Sequence, residues 1–440
     1  MRISVIGCGY LGAVHAAAMA GLGHDVVAID VDEAKIALLA AGKTPFYEPG
    51  LPEILASSLA SGRLTFTTDI SLVRGCEVHF IAVGTPQSAD SNAADMRFVD
   101  AAVTALIPHL SEGDLVVGKS TVPVGTAARL GNMIAASGSP AELAWNPEFL
   151  REGHAVKDTI SPDRLVYGVA PGARRDASLA LLNAVYESAI TAGTPVVVTD
   201  LATAELVKIA ANAFLATKIS FINAMSEITD AVGANITELA DAIGYDARIG
   251  RRFLNAGVGF GGGCLPKDIR AFVARAEELG LGASVAFLME VDAINQRQRT
   301  RVTNLVRGAA ATLDIEVGSA RIAVLGLAFK PHSDDVRDSP ALDVVLNLSA
   351  LGADVIAFDP EANSSARRRF PALATAASID EALAEADVVV LVTEWPQFVA
   401  LDPVHVASLV RNRAIVDARN VLDPVAWRAA GFTFVGMGRP

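Results

Sequence analysis

The sequence predicts an α/β chain of two Rossmann-like doubly wound parallel-sheet domains joined by a central helical segment. Three observations carry this. The first 200 residues alternate short β-branched runs with glycine turns and helical stretches, which is the pattern of βαβ units on a parallel sheet. From Arg321 the same order returns: RIAVLG echoes RISVIG at Arg2, GADVIAFD echoes GHDVVAID, ADVVVLVTEWP echoes CEVHFIAVGTP, and RAIVDARN echoes DLVVGKSTV. Between them, LATAELVKIAANAFLATKISFINAMSEITDAV has no strand pattern, and Leu206, Ile209, Ala210, Ala213 and Phe214 recur at helical spacing. The expected boundaries are 1–200, 201–300 and 301–440. The two α/β parts share strand order only, without the short period of a solenoid.

Composition narrows the class. At 440 residues the chain exceeds one ordinary core, and 52% hydrophobic residues is too apolar for a disordered segment. No apolar run reaches the roughly 18 residues of a membrane span, and MRISVIG enters a strand without a signal-peptide pattern. Cys8, Cys76 and Cys264 are too few for a disulfide framework, which fits a reducing, cytoplasmic setting. A net charge of −13 argues against nucleic acid as a partner, though not against a small anion in a local basic site.

The first strand leads into GCGYLG, with Gly7, Gly9 and Gly12 spaced as G-x-G-x-x-G. Those glycines allow a tight turn, close backbone approach to a pyrophosphate, and an anion at the helix N-terminus formed by Tyr10, Leu11 and Gly12. Asp30 ends the second strand, where it would bond the ribose hydroxyls and repel a 2′-phosphate, so NAD rather than NADP is expected. Lys35 either reaches the same ribose or is a solvated helix charge. Thr85 in the GTP turn sits where a cofactor would cross the sheet edge.

GCGYLG, FIAVGTP, KSTVPVGT, NPEFLREG, the Lys208–Asn212 helix, GFGGGCLPKD and LAFKPHSDDVRDSP occur in order over 1–420. Together they resemble the UDP-glucose/GDP-mannose dehydrogenase family of nucleotide-sugar oxidoreductases. The resemblance implies NAD as cofactor, a nucleotide-sugar substrate, and oxidation of its C6 alcohol to a carboxylate. GGGCLPKD lacks the histidine before the cysteine found in the N-acetylated-sugar members. That favours the UDP-glucose type or the similar GDP-mannose type.

The chemistry bears on Cys264. Removing a first hydride from an alcohol needs only an acceptor and a base. Removing a second requires a tetrahedral carbon bearing an electron-rich oxygen, which thiolate addition to the aldehyde creates; the thioester is then hydrolysed. The resemblance implies that Cys264 is this nucleophile, while a free cysteine is otherwise most often a small buried hydrophobe. The surrounding glycines are expected to open the backbone for the sugar, with Lys267 three residues on favouring thiolate. The alternative is an ordinary two-electron hydroxy-acid dehydrogenase with an idle cysteine.

Lys208 and Asn212, at i and i+4, share a helix face and are implied to donate to the substrate oxygen as it becomes anionic. Asp268 is expected to orient Lys208 or a water, ahead of a simple pair with Lys267. Glu148 is implied to be the base for thioester hydrolysis, with Phe149, Leu150, Arg151 and Glu152 lining the sugar and Glu152 also near the nicotinamide. Thr121 would hold a water or the nicotinamide ribose, or form only a turn before Pro123. Phe253, Leu254, Asn255, Ala256 and Gly257, with Gly261, are implied to hold the sugar-linked diphosphate; Asn255 stands where some members have a basic residue. Arg248 is implied to come from a partner subunit and Lys330 from the second α/β part. Arg337 and Lys267 are implied to reach the cofactor, with an ion pair to Asp334, Asp335 or Asp338 as the alternative for Arg337. Residues 393–395 with Arg419 and Asn420 are expected to shape the nucleotide site. No metal is expected. A homodimer or higher homo-oligomer through the long helix is.

Overall fold

The computed structural model describes residues 1–440 and divides into two compact units, one of residues 1–211 and 270–282, the other of residues 212–269 and 283–440. No helix is long and apolar enough to cross a membrane.

The first unit is built on eight strands: β1 (Arg2–Ile6), β2 (Asp25–Ile29), β3 (Leu64–Thr67), β4 (Val78–Ile81), β5 (Leu115–Gly118), β6 (Glu142–Trp145), β7 (Leu165–Val169) and β8 (Val196–Thr199). They lie in the order β3-β2-β1-β4-β5-β6-β7-β8. Every pair is parallel except β6 with β7, which is antiparallel. This departs from a wholly parallel sheet. Short edge strand β3, residues LTFT, carries too little pattern to be read from sequence. Strands β1, β4 and β5 are buried along nearly their whole length, as expected where helices cover both faces.

The second unit holds β9 (Arg321–Leu325), β10 (Asp354–Phe358), β11 (Val388–Leu391), β12 (Ala414–Asp417) and β13 (Thr433–Gly436), all parallel, in the order β10-β9-β11-β12-β13. The repeat read from the sequence is therefore a spatial one: β2-β1-β4-β5 in one sheet and β10-β9-β11-β12 in the other. The expected helical stretch is a 32-residue helix, Leu201–Val232, followed after Gly233 by a second helix, Ile236–Gly244, whose Asn235 caps the Thr237 N–H.

Close packing leaves no slack where β5 meets β6. A Cβ on Gly118 would lie 2.1 Å from the Trp145 ring, and Trp145 is fully buried. Gly118→Ala therefore forces the indole out of its place and destabilises the protein by roughly 1–3 kcal/mol, read as a lower thermal midpoint, with Gly9→Ala as a comparison at a position where a Cβ meets nothing.

Candidate active site

The loop after β1 shows whether the residues present fit a dinucleotide. Gly7 has φ of +96°, a left-handed conformation. A Cβ on Gly12 would sit 1.7 Å from the Gly7 carbonyl oxygen, so that helix–strand approach admits only glycine. A Cβ on Gly9, by contrast, would meet no atom within 4 Å. It faces open space at the start of α1 (Tyr10–Gly21), which has no side-chain cap. Its first backbone N–H groups are the unsatisfied donors that bind a phosphate. The cradle fits.

Asp30 stands beside it. Its carboxylate accepts the Cys8 N–H at 2.7 Å and the Asp32 N–H at 3.0 Å, and pairs with Lys35 at 2.9 Å. Burial alone would raise its pKa, but the Asp32 N–H, Lys35 and the Cys8 N–H outweigh it and hold the carboxyl below its usual value. Lys35 is thus an ion-pair partner of Asp30. The Tyr10 hydroxyl is bonded to Glu48, whose carboxylate also accepts Gly153 N–H at 2.6 Å and Ala155 N–H at 2.7 Å. That leaves Tyr10 its backbone N–H for a ligand, while the Leu11 side chain packs on the core. Glu48, which ties α1 to the NPEFLREG segment, carries no motif and escapes the sequence reading.

The carboxyl ends of β4, β5 and β6 converge. Thr85 Oγ1 donates to the Thr121 carbonyl at 2.7 Å, bringing two expected cofactor residues together. Glu148 turns its carboxylate back onto the Phe149 and Leu150 N–H groups, at 2.7 and 2.9 Å, and pairs with Lys119 at 3.0 Å. Lys119 is only 4% exposed. Its ammonium also donates to Asn146 Oδ1 at 3.0 Å and the Tyr186 hydroxyl at 3.1 Å. Two cations lie over the Phe149 ring, Arg164 at 3.9 Å and Lys208 at 5.6 Å from its centroid. Leu150 packs on the core, Glu152 is buried, and Arg151 forms a two-pronged bond to Asp158 at 2.8 and 2.6 Å. Arg151 is thus committed to a carboxylate of its own segment.

In the second unit the glycine-rich loop corrects an expectation. Gly257, Gly259, Gly261 and Gly262 are buried, not open. A Cβ on Gly257 would meet the Ala418 carbonyl at 2.7 Å, on Gly261 the Asp338 carbonyl at 2.2 Å, and on Gly263 the Arg337 guanidinium at 2.4 Å. Asn295 clamps the loop from both sides, accepting the Phe260 N–H at 2.8 Å and donating to its carbonyl at 2.9 Å. Close packing alone requires glycine at these positions. Only past them does the chain emerge: Cys264 is exposed, at the N-terminus of the helix Leu265–Glu278. Cys8 and Cys76 are buried, and burial pushes the Cys76 thiol up to about 11.

Asp268, 2% exposed, accepts the Asn212 amide at 2.7 Å and pairs with Lys267 at 2.7 Å. The pairing with Lys267, ranked second from sequence, is the one formed, because adjacent residues on the first turn can fold their side chains together. Arg337 grips Asp335, one of the three carboxylates offered as its alternative partners, at 2.7–3.0 Å. Arg248 is mostly exposed and grips Asp246 in the same way. Lys330 lies 5.3 Å from the Phe329 ring centroid.

In the segment 253–257, Phe253 has φ of +67°, Leu254 and Ala256 are buried, Asn255 accepts from Arg251 at 2.7 Å, and the Gly257 N–H donates to Asn223 at 2.8 Å. The residues expected to shape a nucleotide site brace the loops around them. Arg419 donates to the Gly259 and Phe329 carbonyls at 3.1 Å each, Thr393 to the Ala328 carbonyl at 2.7 Å, and Asn420 to the Met437 carbonyl at 2.8 Å.

Known proteins align with this arrangement along the whole chain. Residues 1–190, 202–297 and 323–424 match, in turn, the NAD binding, central and UDP binding domains of one family. A UDP-glucose 6-dehydrogenase from Rhizobium meliloti (strain 1021) is 42% identical over 445 residues, covering 100% of both chains. The solved structure of a UDP-glucose dehydrogenase from Pyrobaculum islandicum superposes with a TM-score of 0.89 at 37% identity, covering 100% of this chain and 98% of that one. A GDP-mannose dehydrogenase from Pseudomonas aeruginosa gives a TM-score of 0.53 at 29% identity, covering 99% and 100%. The chain belongs to the UDP-glucose/GDP-mannose dehydrogenase family of NAD-dependent oxidoreductases.

Proposed function

We propose that this enzyme oxidises C6 of UDP-glucose to the carboxylate of UDP-glucuronate through a covalent intermediate on Cys264. The observation that carries the reading is the setting of that thiol. It is the exposed cysteine of the three, at a helix N-terminus, one turn before a buried carboxylate bonded to Asn212 and Lys267. An idle cysteine has no need of such surroundings. UDP-glucose is preferred to GDP-mannose because the similarity to named UDP-glucose enzymes is greater in both identity and superposition.

Bound NAD supplies the hydride acceptor, once for each of two successive oxidations. The chain supplies the rest. Lys208 and the second amide N–H of Asn212 donate to the C6 oxygen as charge develops on it; one such donor typically contributes ~10²–10³ in rate. The Cys264 thiolate adds to the aldehyde carbon, giving a thiohemiacetal whose oxyanion these donors stabilise. Loss of the second hydride leaves a thioester. Glu148 takes a proton from the attacking water, the C–S bond breaks, and the carboxylate and free thiol result. Phe149 to Glu152 line the sugar, Thr121 holds the water or the nicotinamide ribose, and residues 253–257 with Gly261, Lys330 and the partner's copy of Arg248 take the diphosphate. Arg337 and Lys267 serve the cofactor side through the charge left by their carboxylate partners. A homodimer is supported by the long helix, on which exposed Phe214, Phe221 and Ile228 recur every seventh residue.

Under saturating NAD, two NADH form per UDP-glucose consumed, against one for a two-electron enzyme; GDP-mannose in the same assay is turned over far more slowly. Cys264→Ser retains nucleotide binding but loses about 10³-fold or more of the turnover, and a variant that still makes the acid at the parent rate overturns the covalent route. Asp30→Ala weakens NAD binding by about tenfold, or ~1.4 kcal/mol, and narrows the preference over NADP in a calorimetric titration. Phe221→Glu shifts the species seen by sedimentation toward monomer.

A further inference from the structure

The segment KSTVPVGT draws attention for its threonine, yet its lysine has the more demanding environment. Lys119 is almost wholly buried, and an ammonium has three donors. All three are used: Glu148 at 3.0 Å, Asn146 at 3.0 Å and Tyr186 at 3.1 Å. The acceptors are themselves fixed. Asn146 donates to the Val166 carbonyl at 3.0 Å, the Tyr186 hydroxyl donates to Asn146 at 2.6 Å, and Glu148 accepts two backbone N–H groups. A buried ion pair of this kind is a poor source of stability, because desolvation consumes most of the attraction. It does fix geometry.

Resting on the role given to Glu148 above, we propose that Lys119 is the positioning residue for that base: its tripod aims the carboxylate and supplies the compensating charge, while Lys119 itself touches neither sugar nor cofactor. The remaining charged groups around Glu148 do not substitute for it. His15, buried with neither ring nitrogen bonded, is held well below its usual pKa by burial and by the neighbouring Lys119 charge, so it brings no cation. Arg164 and Lys208 lie over the adjacent Phe149 ring. Asp158 is bound to Arg151, and Asp163, lining the same small cavity, adds only negative charge. Burial alone would lower the Lys119 pKa; Glu148 and Tyr186 outweigh it and keep the ammonium charged throughout the working range.

A carboxylate that has lost its tripod is no longer held in place, so the hydrolysis it serves slows while the two oxidations before it do not. In Lys119→Met, kcat falls by about tenfold or more while kcat/KM for UDP-glucose stays within about twofold of the parent. Rapid-mix kinetics show two NADH per site released in a burst before a slow steady state, as the thioester accumulates. Lys119→Gln, which keeps hydrogen bonding without charge, shows the same split and provides a second variant should the first not fold; NAD binding reports the fold of each.

An unchanged kcat with no burst in a folded Lys119 variant overturns the inference, and so does a fall in kcat/KM as large as the fall in kcat. Glu148→Gln separates it from the reading beneath it. If that variant hydrolyses the thioester at the parent rate, the base assignment fails and the inference with it. If Glu148→Gln stalls at the thioester while Lys119→Met keeps the parent's kcat and shows no burst, only the role of Lys119 fails.

Discussion

Both sheets depend on one interaction, a carboxylate at the end of the second strand that receives backbone N–H groups from the loop after the first. In the first unit Asp30 holds the Cys8 N–H. In the second, Asp359, at the corresponding point after β10, holds the Leu327 and Ala328 N–H groups at 2.7 and 2.9 Å. The contact sets the path of the chain as it leaves the sheet, which is where α/β proteins place their ligands. What differs is how much of each carboxylate is consumed. Asp359 is 1% exposed and also accepts from Glu361, Ala362 and the Trp395 indole. Asp30 keeps an accessible edge beside the open space at Gly9. One arrangement of strand, loop and acid thus leaves a partly accessible carboxylate in one unit and a structural staple in the other.

The fold was legible because its signals are local. Strand runs, glycine turns and the 32-residue helix each carry their pattern in consecutive residues, and the return of RISVIG as RIAVLG exposed the repeated architecture. The antiparallel β7 was not legible, since strand direction depends on how the connection crosses the sheet. Among candidate site residues, Asp30 was readable from its spacing to the glycines. Lys119 was not. Its partners lie 27, 29 and 67 residues away, and no linear pattern marks a lysine that will be stripped of water. Glu48, joined to backbone more than a hundred residues on, was hidden for the same reason.

Several cations expected at the ligand sites pair with carboxylates close to them in sequence: Arg337 with Asp335, Arg248 with Asp246, and Lys267 with Asp268. A guanidinium or ammonium two or fewer residues from a carboxylate loses little chain entropy in reaching it, so such pairs form readily. For any of these cations to serve an anionic ligand, the ligand must compete with, or share, a carboxylate already in place. The pair at Arg248, whose guanidinium is mostly exposed, is weakly held, and exchange of partner there is correspondingly cheap.

The loop that ends in Cys264 has a consequence for how the enzyme tolerates change. Its glycines touch main-chain oxygens of Ala418 and Asp338, far along the chain, and a clamp from Asn295 closes it on a third side. The sulfur therefore rides on a cantilever whose anchor is the second sheet. A mutation near residue 418 or 338 would tilt that beam and move the sulfur without altering it, and under the covalent route proposed above an activity screen would record the change as a catalytic lesion.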